Sequence, residues 1–320
     1  MEARFHLPGL RNNFPLNMIL IDMLKRYPKY FREGIVIASC FGEFPASLWN
    51  GGRFNANDQC DGKYVASVIK ALNAKGVAVR YTYTNPLLTK EDLEDAYCNF
   101  CLDQADTGKH LNGVLVVSPL LEDYIRRTHP DLKLNSSTCK GIVSIEGINE
   151  ELARPYDLVV LDYNMNNQFE ELGKIADKER CEVLVNACCV PGCKRRAEHY
   201  RQIAKNERIA LNNRTLPPDK RKPLIPWECS YGDHAMPSVT RNYVTHISPD
   251  AIWEKYLPMG FRNFKIEGRS ANLFSLVKTY SYYFAKPEYK EDVELILLTN
   301  LSANKILNIS RPRPAQNAGI

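Results

Sequence analysis

The sequence predicts an α/β protein in which eight parallel strands close into a TIM-type (β/α)8 barrel, regular or irregular, with extra helices at the C-terminal end. Short β-branched runs alternate with helical stretches along the 320 residues, which is typical of a parallel sheet with right-handed crossovers. Seven clear strands and an obscure eighth favour a closed barrel over an open doubly wound sheet. Neither G-x-G-x-x-G after the first strand nor G-x-x-x-x-G-K-[ST] occurs, which disfavours dinucleotide-binding and P-loop domains.

Each element follows from a local pattern of apolar residues. The predicted strands are Gly34–Ser39, Val77–Thr82, Gly113–Val117, Leu132–Asn135, Leu158–Leu161, Glu182–Val185 and Asn263–Ile266. The predicted helices are Gly62–Ala74, Lys90–Ala105, Leu120–Arg127, Phe169–Asp177, Arg195–Asn206 and Pro249–Leu257. Start signals such as Thr89-Lys90-Glu91-Asp92 and Ser248-Pro249-Asp250 support two of these helices. We expect one barrel domain over residues 1–310, with helices after Ser270 packed on its outside, and a flexible tail over residues 311–320.

Composition indicates a soluble globular protein, with 44% hydrophobic and 25% charged residues. The sequence contains no apolar stretch of transmembrane length, and Met1–Pro8 lacks the apolar core of a signal peptide. We therefore predict a cytoplasmic protein that does not bind a membrane. The net charge of +5 is mild; the basic clusters 194–196 and 220–222 are compatible with a nucleic-acid partner, but a solvated surface is the default.

The cysteines carry the strongest chemical signal. The chain has ten, and without an export signal we expect them to be reduced. Cys188, Cys189 and Cys193 follow the apolar run 183–185, and Cys229 lies further along. Thiols gathered at the end of a sheet are typical ligands of iron–sulfur clusters or zinc, and the alternative is a set of buried thiols. The C-x-x-C of Cys98 and Cys101 is more simply explained by packing on one helical face.

In a TIM-type barrel the functional groups gather at the C-terminal ends of the strands. The residues that follow predicted strands should therefore face one mouth. They are Cys40, Asn85, Cys139, Tyr163, Asn164, Cys188–Cys193, Glu267 and Arg269.

The segment Phe264-Lys265-Ile266-Glu267-Gly268-Arg269-Ser270 resembles the closing "KIEGR" strand of the collagenase-like peptidase family of TIM-type barrels. Further short matches in the same order are Thr84-Asn85-Pro86-Leu87, Asn135-Ser136-Ser137-Thr138, Val159-Val160-Leu161-Asp162-Tyr163 with Phe169-Glu170-Glu171-Leu172, and Glu182-Val183-Leu184-Val185 with the cysteine loop. The similarity spans roughly residues 34–285. It implies a four-cysteine [4Fe-4S] cluster and hydroxylation-type chemistry on RNA, a nucleotide or a small aromatic precursor.

The resemblance implies that Cys188, Cys189, Cys193 and Cys229 are the metal ligands. The chain departs from the family pattern because Ala187 replaces a glycine, the cysteine loop is short, and Cys229 stands where the family has paired cysteines. The sequence therefore leaves three possibilities for the fourth ligand. Cys188 and Cys189 both bind the metal, or Cys139 or Cys40 replaces one of them, or only three cysteines bind and one iron has a free coordination site. Zinc is the alternative metal.

Three further side chains are candidate catalytic groups, namely Glu267, Arg269 and His234. Glu267 and Arg269 alternate at a strand end, where they either orient a substrate or form an ion pair that closes the barrel. His234 is an acid, a base, a ligand or simply solvated. Asn85, Asn164 and Arg269 are the candidate substrate-binding residues, and the alternative for Asn85 is that it caps the next turn.

These observations favour an iron–sulfur-dependent modifying enzyme, for which an electron donor and a second chain, in a homodimer or a heterodimer, are candidate partners. Two rivals stay open. One is a catalytically silent, cluster- or zinc-binding subunit of a heterodimer. The other is a peptidase-like hydrolase, which is disfavoured because neither G-x-S-x-G nor H-E-x-x-H occurs.

Overall fold

The computed structural model describes residues 1–45, 47–51, 60–229, 240–268 and 272–307. Eight parallel strands close into a barrel in which each strand pairs with the next along the chain. The predicted (β/α)8 fold class is therefore confirmed. The strands are β1 (Ala3–Pro8), β2 (Ile35–Gly42), β3 (Ala78–Tyr83), β4 (Gly113–Val116), β5 (Lys133–Ser136), β6 (Leu158–Val160), β7 (Cys181–Leu184) and β8 (Asn263–Lys265).

The obscure eighth strand of the prediction is β1, at the N-terminus. It closes the barrel by pairing with both neighbours, so that Arg4 lies opposite Val36 on β2 and opposite Asn263 on β8. The sequence did not reveal it because parallel strands are recognised as continuous apolar runs. Arg4 and His6 interrupt that run, and His6 is buried inside the barrel.

Helices connect the strands on the outside of the barrel. They are α1 (Phe14–Arg26), α2 (Gly62–Ala74), α3 (Ala96–Ala105), α4 (Pro119–Thr128), α5 (Ile145–Ala153), α6 (Phe169–Gly173) and α7 (Arg196–Thr215). Helix α8 comprises Pro249–Ala251, the π-helical Ile252–Tyr256 and Leu257–Met259. Two helices follow β8, α9 (Leu273–Phe284) and α10 (Lys290–Ala303).

Three predicted helix boundaries were wrong. The helix expected over 90–105 is split into a 3-10 turn, Glu91–Glu94, and α3. Asp95 separates them because its carboxylate accepts a hydrogen bond from the N–H of Cys98 at 2.7 Å and so caps α3. Helix α6 ends four residues before the predicted boundary at Asp177, and α7 continues nine residues beyond Asn206.

The C-terminal helices pack against the barrel, as predicted. Tyr283 of α9 donates its hydroxyl to the carbonyls of Val185 and Ile247, at 3.2 and 3.0 Å. Tyr280 donates to Asn17 Oδ1 of α1 at 2.6 Å. The predicted tail over 311–320 lies outside the described residues. Within the described part of the chain, no helix has the length and apolar character needed to cross a membrane.

Candidate active site at the barrel mouth

A layer of charged and polar side chains fills the lower part of the barrel. Arg80 Nη1 donates to Glu182 Oε2 and lies 2.9 Å from His6 Nδ1. Lys265 Nζ lies 3.5 Å from Glu182 Oε1. Burial lowers the pKa of His6 to about 3, so the ring is neutral at pH 7. Burial alone would raise the pKa of Glu182, but Arg80, His6 and Lys265 hold it at about 2, so this carboxylate is ionised.

A second, mostly apolar layer lies above the first. Phe41, Leu115 and Val160 pack together from β2, β4 and β6. Lys265 of β8 completes this layer, and its ammonium lies 4.0 Å from the centre of the Phe41 ring. The alternation between odd and even strands is the layering expected of a TIM-type barrel. A lysine therefore occupies a position that such barrels usually fill with an aliphatic side chain.

Above this layer a cavity of about 120 Å³ opens at the C-terminal ends of the strands. Phe41, Leu115 and Lys265 form its floor. Its walls include Thr84, Ser137, Thr138, Cys139, Tyr163, Cys188, Cys189 and Glu267. Five of these residues belong to the set predicted from strand ends, namely Cys139, Tyr163, Cys188, Cys189 and Glu267. The structure thus confirms that these five residues share one mouth.

Helix α7 forms a roof over the cavity, to which it contributes Arg196, His199, Tyr200 and Ile203. Near its first turn, Arg196 forms a two-pronged ion pair with the buried carboxylate of Asp162 after β6. Twelve residues later, about 18 Å along the helix, Arg208 pairs with Asp92 after β3 at 2.9 and 2.6 Å. These two ion pairs fix the helix across the mouth.

The cysteine loop is bound to the end of β8. The side chain of Asn186 donates to the carbonyl of Glu267 at 3.0 Å and accepts from the N–H of Glu267 at 2.7 Å. The carboxylate of Glu267 then accepts from the N–H of Cys188 at 2.9 Å. Glu267, a predicted catalytic residue, therefore lies in the cavity wall and orients the first cysteine of the loop.

A second contact fixes the far side of the loop. The N–H of Gly192 donates to Asn164 Oδ1 at 2.8 Å, and Gly192 has a φ of +70° that favours glycine. Asn164 was predicted to bind substrate, and its amide oxygen is used here to order the cysteine loop. The amide of Asn85 bonds to the carbonyl of Leu48 and the N–H of Leu87, both at 2.8 Å. These are the contacts of a turn cap, which was the alternative for this residue.

Cys229 returns to this region through an extended segment, residues 221–229, that we call the strap. Asn206 of α7 donates to the carbonyl of Ile225 and accepts from its N–H, both at 2.8 Å. Asn213 makes the same pair of bonds with Lys222, at 2.7 and 2.9 Å. Near the end of the strap, the ring of Trp227 stacks on His199 with centroids 4.6 Å apart. The strap therefore runs back along α7 toward the helix N-terminus.

One hydrogen bond joins the end of the strap to the cysteine loop, because Arg195 Nη1 donates to the carbonyl of Glu228 at 3.2 Å. Burial, followed by the nearby thiols of Cys188, Cys189 and Cys229, raises the pKa of Tyr243. Burial also raises the pKa of Cys189, and the neighbouring Cys193 contributes to that shift. The ten cysteines all lie in the described residues, and none forms a disulfide bond. Among these described residues, however, no three His, Cys, Asp or Glu side chains already converge as a metal-binding group.

The structure corrects or leaves untested three of the predicted site residues. Cys40 does not face the mouth, because it lies within β2 and its side chain is buried in the hydrophobic core outside the barrel strands. It is therefore excluded as an alternative ligand. Burial raises the pKa of this thiol to about 12, which also disfavours a thiolate there. His234 and Arg269 lie outside the described residues.

Several residues of the site were not predicted from the sequence. Arg80 and Glu182 lie inside strands, and Lys265 was part of the "KIEGR" match without a role of its own. The available signal was the period-two alternation of polar residues, since side chains two apart on a strand point to the same face. On β3, Arg80 and Thr82 alternate with Val79 and Tyr81 in this way. Cys98 and Cys101 are buried on one face of α3, as the packing explanation predicted.

Comparison with known proteins adds little. No protein-family model matches the chain, and no curated protein matches it. Among solved structures, the U32 peptidase Mk0906 is similar with 15% identity and a TM-score of 0.49, over 83% of this chain and 92% of that one. A similarity of this size does not bear on activity, and membership of the collagenase-like peptidase family stays a prediction.

Proposed function

We propose that the barrel mouth is the active site of an iron–sulfur-dependent modifying enzyme, with Cys188, Cys189, Cys193 and Cys229 as thiolate ligands. The observation that carries this proposal is that the strap returns Cys229 to the cysteine loop, where Arg195, two residues after Cys193, donates to the carbonyl of Glu228 at 3.2 Å. Thiolates are the usual ligands of iron–sulfur clusters. The segments meet beside a cavity at the C-terminal ends of the strands, where TIM-type barrels place their chemistry.

The donor chemistry of the site suits such a group, although the thiols do not converge as a ready-made site. A bound cluster would supply electron transfer, or an open iron acting as a Lewis acid. The roles of the protein residues follow from their contacts. Glu267 and Asn164 hold the cysteine loop through the N–H groups of Cys188 and Gly192. Helix α7 covers the cavity with Arg196, His199, Tyr200 and Ile203.

The reaction class comes from the resemblance in the sequence. It favours hydroxylation-type chemistry on RNA, a nucleotide or a small aromatic precursor, with an external electron donor. The cavity volume of about 120 Å³ adds one constraint. Pockets for drug-sized ligands are typically ~300–1,000 Å³, so this cavity admits a small molecule or a single group of a larger substrate.

The decisive experiment is anaerobic reconstitution with iron and sulfide, followed by metal analysis, absorption spectroscopy and electron paramagnetic resonance of the reduced protein. Single serine substitutions of Cys188, Cys189, Cys193 and Cys229 should each lower the iron content or change the resonance signal. The matched control is Cys60→Ser, since Cys60 lies far along the chain from both cysteine-bearing segments and does not line the cavity. That variant should bind iron as the wild type does.

Two outcomes would contradict the proposal. A colourless wild-type protein without iron after reconstitution would exclude a cluster. Zinc bound in place of iron, without turnover, would favour the silent subunit of a heterodimer. A cysteine hydrolase has no specific support in the geometry.

A further inference from the structure

Positive charge is concentrated in one segment of the chain. Residues 194–222, which comprise α7 and its two flanks, contain ten Lys or Arg and three Asp or Glu. The whole chain has 42 Lys or Arg and 37 Asp or Glu, so the remaining residues include slightly more acids than bases. The mild net charge of +5 therefore conceals a strongly basic region formed by α7 and the start of the strap.

Ion pairs within the protein neutralise part of this charge. Arg196 and Arg208 pair with carboxylates that follow strands of the barrel. Lys205 of α7 and Lys222 of the strap are exposed, and neither ammonium has an ion-pair or hydrogen-bond partner in the part of the chain that the structure describes. These two ammonium groups are therefore open to an external carboxylate.

Both lysines line a groove between α7 and the strap. The groove has a volume of about 420 Å³, within the range of roughly 300–1,000 Å³ that is typical of ligand pockets. On the strap, Leu224 and Ile225 are each 42% exposed. The aliphatic lining of the groove comprises Leu87, Ala204, Ile209, Leu216 and Ile225. The groove thus combines an aliphatic surface with two exposed cations.

This lining favours a peptide over a nucleic acid. Among the described residues, no aromatic side chain lines the groove, whereas proteins that bind single-stranded nucleic acid stack the bases on aromatic rings. Trp227 of the strap is already engaged, because its ring stacks on His199 and lies 4.2 Å from the guanidinium carbon of Arg195. Aliphatic grooves are typical sites for the apolar face of an amphipathic helix. Lysines beside the groove select for acidic residues on that helix.

We propose that the groove between α7 and the strap is the docking site of an acidic partner protein. The partner presents an amphipathic helix whose aliphatic side chains enter the groove and whose carboxylates pair with Lys205 and Lys222. Docking there brings the partner against both elements that enclose the barrel mouth, since α7 covers the cavity and the strap carries Cys229. The proposal goes beyond the proposed function, because it needs no bound cluster.

Binding is tested with the purified full-length protein and synthetic peptides of about 14 residues, which is roughly four helical turns. The first peptide carries Leu at positions i, i+3, i+4 and i+7 and Glu at the polar positions. The second replaces its Leu residues with Ala, the third replaces its Glu residues with Lys, and the fourth probe is an oligouridylate of similar charge. Fluorescence anisotropy of the labelled probes measures Kd. We expect the Leu/Glu peptide to bind, with an affinity that falls as salt is added, and the other three probes to bind at least about tenfold more weakly.

Substitutions in the groove locate the binding site. Lys205→Glu and Lys222→Glu should each weaken binding of the Leu/Glu peptide at least about tenfold, because an attraction becomes a repulsion. Ile225→Ser should weaken binding by a smaller factor, because it removes part of the apolar lining. All three side chains are exposed, so the variants should fold. The matched control is Lys63→Glu, because Lys63 is exposed on α2 and does not line the groove.

Three results would each overturn the inference. The Leu/Glu peptide does not bind, or the Ala peptide or the oligouridylate binds as tightly, or the Lys205 and Lys222 variants bind the peptide as the Lys63 variant does. The measurements are made on protein without iron, so this proposal and the cluster proposal fail separately.

Discussion

The strap that returns Cys229 to the barrel mouth depends on Asn206 and Asn213, and Asn206→Ala tests this dependence. Asn206 makes two hydrogen bonds with the backbone of Ile225, both at 2.8 Å. A net hydrogen bond contributes about 0.5–1.5 kcal/mol, and these bonds are exposed to solvent, so we take the lower end. Two such bonds amount to about 1 kcal/mol, which is roughly a fivefold change in the opening equilibrium of the strap.

Hydrogen exchange measures this opening directly, because the N–H of Ile225 is the donor to Asn206 Oδ1. We expect the amide of Ile225 to exchange about fivefold faster in the variant, with little change in the strands of the barrel. The matched control is Asn212→Ala, which makes the same change of helix propensity on an exposed residue of α7. Unchanged exchange at Ile225 in the Asn206 variant, or equal acceleration in both variants, would refute the reasoning.

Three further predictions concern buried carboxyls and the cysteine loop. Glu182→Gln should lower the free energy of unfolding by about 3–5 kcal/mol in urea, because Arg80 and Lys265 lose their shared carboxylate. In the wild type, the ionised Glu182 stabilises the fold above pH 4.5, and this stabilisation is lost as the pH falls toward 2. The free energy of unfolding of the variant should therefore depend less on pH in this range. Burial, then the neighbouring Glu43, raises the pKa of Glu207 from 4.5 to about 9. Between these two values the folded protein keeps a proton that the unfolded chain releases, so the melting temperature should fall as the pH rises from 5 to 9. In Glu207→Gln this fall should be smaller, as measured by thermal unfolding. Asn164→Ala should lower the iron bound after reconstitution, because the loop loses its bond at Gly192; full iron content would contradict this role.

The barrel was predictable because its outward-facing residues carry a strong signal. Seven strands bury apolar side chains against the helices, and such runs are visible in a sequence. Strand β1 was missed since its inward residue, His6, contacts other polar side chains rather than a core. The split of the helix over 90–105 was missed for a similar reason. Asp95 caps α3 through its own side chain, a local choice that competes with a continuous helix.

The strand-end rule located the mouth but could not assign roles to its residues. Cys188, Cys189 and Glu267 line the cavity as expected. The amide oxygen of Asn164, by contrast, accepts from the N–H of Gly192, which is 28 residues away in the chain. The path of the strap was equally hidden, because an asparagine on a helix surface does not indicate which backbone it will bind. Such side-chain to backbone pairs depend on the tertiary fold and leave no periodic pattern.

The polar layer of the barrel is the feature that needs a functional explanation. A fold of this type can fill its interior with aliphatic residues, and a buried ion pair is often no more stable than a hydrophobic replacement of similar volume. Arg80, Glu182 and Lys265 therefore do not follow from the demands of folding alone. They place an ammonium group at the bottom of the cavity, directly beneath the wall that carries Cys188 and Cys189. These buried charges therefore set the electrostatic environment of the cavity floor beneath the cysteine loop.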